Sequence, residues 1–430
     1  MHQQGSGTPG RISENSGTGL RLCCFRPFPR KHDRTVSGAI QGSRRRGEWK
    51  AMIDAPGTIL IANTRLIGDV VLTTPLVEIL MDAFPGVAID VLVNRGTGEF
   101  LEKDPRIRRV IYSEKWRNSA SGFGSSYLLG LVRKYDLAIT MNSGDRGAMA
   151  VLVASRRYRV GFCQTDKPYS RFLRSRLFSH PIDGAADMHM VGLCGQIADA
   201  LGIPYSLLRV RLFWDKGDEE RVAATLGGEP VPPYFVIHPF ARWGYKYWDL
   251  KRFVEVSNHV AREHHLQPVW TSSPDEAEAQ LLKESAAECS VKPILIPGSL
   301  SLNQMACLLQ GARLYIGLDT AITHIAASTG VPVVALYGPT ELWRWHPWNN
   351  DSPSAKLVRP GYRGPIRCGR IVTLQAGCDH PTCLRPDCYG AVENPCMMAI
   401  TTDQVCQEAS RLLSPSTTKI QQTQGAEHGR

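Results

Sequence analysis

The sequence predicts an α/β fold with two Rossmann-like domains in tandem, each built on a parallel sheet. Short β-branched runs alternate with segments of helical spacing, which is the pattern of a sheet covered on both faces. The alternation lapses before the proline-rich PVPP at 230–233 and then restarts. A chain of 430 residues with 43% apolar content supplies two cores and is long for one.

In chain order, TILIAN (58–63) is a strand, and DVVLTTPLVEILMDAF (69–84) is a helix that stops at Pro85-Gly86. AIDVLVN (88–94) and RRVIYS (108–113) are strands, SYLLGLVRKY (126–135) a helix, and DLAITMNS (136–143) a strand. GAMAVLVAS (147–155) is a small-residue helix ahead of RYRVGF (157–162), and DMHMVGLCGQIADAL (187–201) is a helix leading into a linker. The second series runs YFVIHP (234–239), DLKRFVEVSNHVARE (249–263), QPVWTS (267–272), DEAEAQLLKESAAE (275–288), ILIPG (294–298) and NQMACLLQGA (303–312). It ends with RLYIGL (313–318), AITHIAAST (321–329) and PVVALYG (332–338), again strand and helix in alternation. Beyond Trp348 the chain is rich in Pro, Gly and Cys and is expected to be irregular up to a last helix, TDQVCQEASRLL (402–413).

The formal charge of +10 is concentrated at one end. Residues 1–50 hold ten lysines and arginines against Glu14, Asp33 and Glu48, a net +7, without hydrophobic periodicity. This segment is expected to be disordered, and Met52 fits a true start just before the first strand. No apolar run approaches the roughly 20 residues of a membrane span, and no export signal precedes the first domain, so a cytoplasmic setting is expected. Of the 12 cysteines, Cys378, Cys383, Cys388 and Cys396 cluster with His380 nearby. Reduced structural thiols are the plainer reading and a structural metal the sharper one, since the spacing lacks C-x2-C knuckles.

Ligands of open parallel sheets bind beyond the C-terminal strand ends, and polar residues gather there. HPFARWGYKYW (238–248) offers Arg242 and Lys246 before a helix, a combination that suits a diphosphate as well as a solvated basic loop. GLDTAITH (317–324) places Asp319 and Thr320 at a helix start, as a plain cap or as a second cradle whose small residues expose backbone amides. Asp275 and Glu276 are placed either for ribose hydroxyls or for the helix dipole. Asp69 follows the first strand without a G-x-G-x-x-G or Walker A pattern, which argues against a nicotinamide dehydrogenase; as a cleft carboxylate it suits a general base, and otherwise it is a helix-start Asp. The basic and aromatic stretch 155–178 fits nucleic acid, a phosphorylated glycan, an anionic membrane face or a solvated surface.

With GDVVLTTP (68–75), the H-P-x-A-R-x5-W block ending at Trp248 and IGLDTAITHIAASTGVPVVALYGPT (316–340), the chain resembles the lipopolysaccharide heptosyltransferases, glycosyltransferase family 9, from about Thr58 to Leu413. Asp319-Thr320-Ala321, in place of Asp-Thr/Ser-Gly, and the A-R-x3-K-x-W block resemble the heptosyltransferase III branch. The resemblance implies a GT-B fold, two Rossmann-like domains with parallel sheets facing across a cleft. It implies a basic extension at 1–55, an acceptor domain at 56–228, a donor domain at 229–348, a Cys-rich irregular segment with closing helix at 349–413, and a disordered tail at 414–430. The implied reaction is an inverting, metal-independent transfer from ADP-heptose to the lipopolysaccharide inner core, with no cofactor. Asp69 would be the base and Lys246 would neutralise the departing diphosphate. Arg242, Asp275, Glu276, Asp319, Thr320, Ala321 and His324 would hold the donor, and Arg65, Arg156, Arg157, Arg171 and Arg174 the acceptor. The implied partners are lipid A-core oligosaccharide and the anionic cytoplasmic face of the inner membrane, not nucleic acid; another glycan or protein acceptor, or a non-catalytic nucleotide-sugar binding module, are the alternatives.

Overall fold

The computed structural model of the protein describes residues 52–113, 126–163, 168–182, 188–351, 358–359, 361–377 and 394–414. The expected disorder of residues 1–51 and 415–430, and Cys378, Cys383 and Cys388 of the cysteine cluster, lie outside the described residues. The basic extension, expected to run to residue 55, ends earlier. Met52 donates its backbone N–H to Leu201 O at 3.0 Å and Ile53 is buried in the core.

The first sheet contains β1 (Thr58–Asn63), β2 (Ala88–Asn94), β3 (Arg109–Ser113), β4 (Tyr135–Thr140), β5 (Ser155–Phe162) and β6 (His180–Ile182), all parallel, in the order β3-β2-β1-β4-β5-β6. Its helices are α1 (Ile67–Val71), α2 (Thr74–Ala83), α3 (Ser126–Leu129), α4 (Asp145–Ala154), α5 (Pro168–Leu177) and α6 (Gly192–Ala200). The single helix expected over 69–84 is two, because Pro75 stands at the start of α2, where its missing N–H costs nothing, and α1 closes at Leu72. The helix expected over 126–135 is one turn, with Arg133 at φ 46° breaking it and Tyr135 already in β4. Among the described residues of this half, one charged side chain, Asp90 of β2, is fully buried. It accepts from Arg108, Arg109 and Tyr135 Oη at 2.8, 3.0 and 2.6 Å.

After α7 (Lys216–Thr225), opened by an Asp215/Asp218 capping box within the stretch expected to be linker, the second sheet begins. It comprises β7 (Tyr234–His238), β8 (Gln267–Ser272), β9 (Ile294–Pro297), β10 (Tyr315–Leu318), β11 (Val333–Tyr337), β12 (Ile366–Cys368) and β13 (Ile371–Gln375), ordered β12-β13-β11-β10-β7-β8-β9. Among the described residues only the β12–β13 pair is antiparallel. Its helices are α8 (Leu250–His264), α9 (Glu276–Ala287), α10 (Leu302–Gly311), α11 (Ala321–Thr329), α12 (Leu342–Trp345), α13 (Pro395–Met398) and α14 (Thr402–Leu413). The segment 349–413, expected to be irregular before its closing helix, thus supplies a buried parallel strand, β13, that extends the sheet beyond β11. The closing helix is present, capped by Thr401 and Gln404, and its apolar face packs on α8.

Among its parallel strands each sheet reverses its order once, between β1 and β4 and between β7 and β10. The loops leaving β1, β7 and β10 are therefore the switch-point loops at which such sheets bind ligands.

Candidate active site

The loop leaving β1 is fixed from below. Asn63, the last residue of β1, donates to Asp69 O at 3.1 Å and to Thr73 Oγ1 at 2.7 Å, and Thr73 Oγ1 in turn donates to Asp69 O at 2.7 Å. The Asp69 carboxylate is buried, with Arg65 Nε 2.8 Å from its Oδ1. Burial pushes this carboxyl above the ordinary range, while Arg65, the Leu66 backbone and, from the other half of the chain, Arg344 draw it back. A buried, positioned carboxylate with a raised pKa is suited to taking a proton near neutral pH.

Opposite stands the start of α11. Asp319 does not cap the helix; Thr320 occupies the N-cap and its side chain makes no capping bond, so the first-turn amides receive no acceptor from the N-cap side chain. The Asp319 carboxylate turns to Lys246 Nζ at 2.5 Å and accepts from Thr340 Oγ1 at 2.5 Å. Gln375 of β13 donates to Gly338 O and Thr340 O at 2.6 and 2.9 Å, so the strand absent from the sequence expectation holds the loop that holds Asp319. His324 is buried, its pKa pushed down to about 4 by desolvation, and its Nδ1 has no hydrogen-bond partner among the described residues.

These two loops touch. Helices α1 and α11 pack together, and a Cβ built on Gly68 would lie 3.5 Å from His324 Cδ2 and 3.8 Å from Ala321 Cα. A carboxylate with a cation beside it therefore meets a helix N-terminus with a lysine beside it, across the boundary between the two sheets.

Residues 130–359, more than half of the chain, match the model of glycosyltransferase family 9 (heptosyltransferase). The chain belongs to this family. Among its relatives, lipopolysaccharide heptosyltransferase 3 of Escherichia coli is 29% identical over 296 residues, covering 67% of this chain and 85% of the relative. Lipopolysaccharide heptosyltransferase 1 of Pseudomonas aeruginosa is 27% identical, covering 66% and 79%. Among solved structures, Escherichia coli ADP-heptose lipopolysaccharide heptosyltransferase II superposes with TM-score 0.62 at 19% identity, covering 83% of this chain and 98% of that one. An Escherichia coli heptosyltransferase solved with ADP gives 0.61 at 19%, covering 83% and 99%. The fold is accordingly GT-B, as the resemblance implied, and the chain is a glycosyltransferase.

The structure brings together Arg65, Asp69, Lys246, Asp319, Thr320, Ala321 and His324. Arg242 remains exposed on the rim, its guanidinium 5.3 Å from the Trp243 ring centroid. Asp275 is the N-cap of α9, accepting from Ala277 N and Glu278 N at 3.0 and 3.1 Å, and Glu276 is exposed in the first turn. Arg156 and Arg157 are not brought to the site. They open β5, at the sheet end away from the cleft, and pair with Asp136 and Asp54. Arg174 is buried, bonding Ser143 O and Asp145, and Arg171 is exposed on the same helix. Trp248 of the H-P-x-A-R-x5-W block is structural, donating its indole N–H to Ile400 O at 3.0 Å. Cys396 is buried at the start of α13; among the described residues no three His, Cys, Asp or Glu side chains are grouped to hold a metal. Also among the described residues, no helix is long and apolar enough to cross a membrane.

Sequence reasoning missed Arg344. It lies on α12, in the loop leaving β11, within 5.9 and 6.0 Å of the Trp343 and Trp345 rings. Its charge helps lower the Asp69 pKa, and burial with Arg65 nearby lowers its own. Its position just beyond a C-terminal strand end was the available signal.

Proposed function

We propose that the protein transfers heptose from ADP-L-glycero-D-manno-heptose to a hydroxyl of the lipopolysaccharide inner core, with inversion and without a metal. The observation that carries this reading is the contact of α1 with α11, which sets the Asp69 carboxylate against an uncapped helix N-terminus flanked by Lys246. Names of family relatives, heptosyltransferases 3 and 1 among them, support the donor and acceptor class.

In this mechanism Asp69 accepts the proton of the acceptor hydroxyl as its oxygen bonds to the anomeric carbon. The bond from that carbon to the β-phosphate oxygen breaks, and its electron pair leaves with ADP. Lys246 and the first-turn amides of α11 stabilise the charge that develops on the diphosphate, a role that needs no divalent cation. Asp319 holds Lys246 in place and, with neutral His324, faces the heptose; Asp275 or Glu276 would take the ribose, and Arg242 would assist at the diphosphate from the rim. Arg65 and Arg344 flank the base as cations for an anionic acceptor. Because that acceptor is lipid-linked, the enzyme would work at the cytoplasmic face of the inner membrane.

Incubation with ADP-heptose and a series of truncated lipopolysaccharides, read by mass, tests the reading. Addition of one heptose to one of them, lost in Asp69→Asn, is expected. Absence of transfer to every core acceptor would overturn it in favour of another glycan or protein acceptor.

A further inference from the structure

Helix α5 turns its apolar side chains outward and one of its charges inward. Its sequence, PYSRFLRSRL, has three arginines and no acid. Arg174 is the buried one, bonding Ser143 O and ion-pairing with Asp145 at 2.5 Å. Tyr169, Phe172 and Leu173 are 78%, 58% and 42% exposed. With Arg176 they follow the i, i+3, i+4, i+7 spacing of a single helix stripe, the stripe that a surface helix ordinarily points at its core. The Arg176 guanidinium lies 5.0 Å from the Phe172 ring centroid. On neighbouring α4, Met149 is also exposed, one turn beyond the Asp145 that Arg174 holds.

The helix stands on the rim of the cleft. β6 pairs only with Val160, Gly161 and Phe162 at the end of β5, and Arg174 grips the loop that follows β4. Both contacts place α5 at the C-terminal ends of the first sheet's strands, the ends from which Asp69 also projects.

We propose that this stripe docks the protein on an anionic lipid surface. Tyr169, Phe172 and Leu173 enter the boundary between headgroups and acyl chains, and the exposed Arg171 and Arg176 meet the lipid phosphates. Aromatic and aliphatic residues interleaved with arginine, with no acid in the helix, are the composition of an interfacial helix, and the charge complements anionic lipid. The chemistry stands without the heptosyltransferase reading; only its purpose, delivering a lipid-linked acceptor to the cleft mouth, rests on that reading.

Flotation of the full chain with vesicles of phosphatidylcholine and phosphatidylglycerol, against phosphatidylcholine alone, tests it. The wild-type protein is expected to float with the anionic vesicles. The triple variant Y169S/F172S/L173S is expected to lose about tenfold in partition, with its thermal melt and its transfer to a deacylated core acceptor unchanged. Equal partition of variant and wild type would overturn the proposal, as would wild-type protein that ignores anionic vesicles. A wild-type dimer that the variant dissolves, without vesicle binding, would overturn it in favour of a second copy. If vesicle binding behaves as expected and no acceptor is glycosylated, the docking surface stands and the acceptor assignment falls.

Discussion

The pair formed by Lys246 and Asp319 separates a structural from a catalytic role. Its charges are 2.5 Å apart, and the side chains are 16% and 6% exposed. At an effective dielectric of about 20, such a separation corresponds to a gross attraction of roughly 7 kcal/mol, most of which offsets the desolvation of the two ions. Removing one partner is another matter, because it strands the other. Truncating one member of a buried pair costs about 3–5 kcal/mol. Thr340 Oγ1 still donates to Asp319 at 2.5 Å in Lys246→Met, which reduces the expected loss to about 2–3 kcal/mol.

Lys246→Met, Asp319→Asn and the double variant form a cycle to be read by urea denaturation and by ADP release. In stability the two changes should couple by about 1–3 kcal/mol, so the double variant is less destabilised than the sum of the singles. In rate no such recovery is expected. On the proposed mechanism, loss of the Lys246 cation should lower kcat by about 100- to 1000-fold, and neutralising Asp319 does not restore it. A double variant that regains rate in step with stability would refute the assignment, leaving Lys246 as scaffolding for Asp319.

Asp69→Asn should lower kcat by about 100- to 10,000-fold while ADP binding, measured by calorimetry, stays unchanged. Because burial raises the Asp69 pKa and the ionised form is the base, kcat/KM should rise with pH along an acid limb above the ordinary carboxylate range. Arg344→Ala removes a charge that lowers this pKa, so the acid limb should move to higher pH; a limb that stays in place would dissociate Arg344 from the base. Burial works to raise the Asp90 carboxyl, but Arg108, Tyr135 and Arg109 outweigh it and hold it below its ordinary range. Its stabilisation is therefore present above the unfolded-state pKa and lost as pH falls through the folded one. Asp90→Asn should cost about 2–4 kcal/mol at neutral pH, less than a fully enclosed pair because both arginines are half exposed, and should flatten the acid limb of a melting-temperature profile.

Much of the fold was legible because its strands are buried on both faces, which writes continuous β-branched runs such as TILIAN and PVVALYG into the sequence. Where that signal failed, a local one had been overridden by tertiary contact. IVTLQ of β13 is five residues between glycine-rich turns, too short to stand out, yet every residue is buried against β11. The expected helix over 126–135 had apolar spacing and no sheet partner in view, while in the structure Leu131 and Tyr135 fill the core beneath α4. Helix α7 carries little apolar periodicity and is fixed instead by its capping box and by Lys103, which binds Asp218 at 2.5 Å.

The site divides along the same line. Residues whose position follows from a strand end, Asp69, Lys246, Asp319 and His324, were accessible from the switch-point rule, since the rule fixes where loops lie without knowing what they touch. What that rule leaves open is the destination of each side chain. Asp319 and Asp275 both precede helices, and the sequence allows a cap for each; the structure gives the cap to Asp275 and turns Asp319 toward Lys246. The difference lies in a partner 73 residues away; the Asp275 carboxylate instead accepts from Ala277 N and Glu278 N. Arg344 shows the same dependence from the other side. Its role exists only because α12 faces Asp69 when the two halves pack, and no local pattern around Leu342–Trp345 encodes that meeting. The Asp69 carboxyl, acted on by one cation from its own loop and another from the other half of the chain, has a pKa that depends on domain closure. Opening the cleft would take away Arg344, which lowers this pKa, and would also hydrate the carboxyl, whose burial is the larger influence and raises it, so closure acts on Asp69 through both.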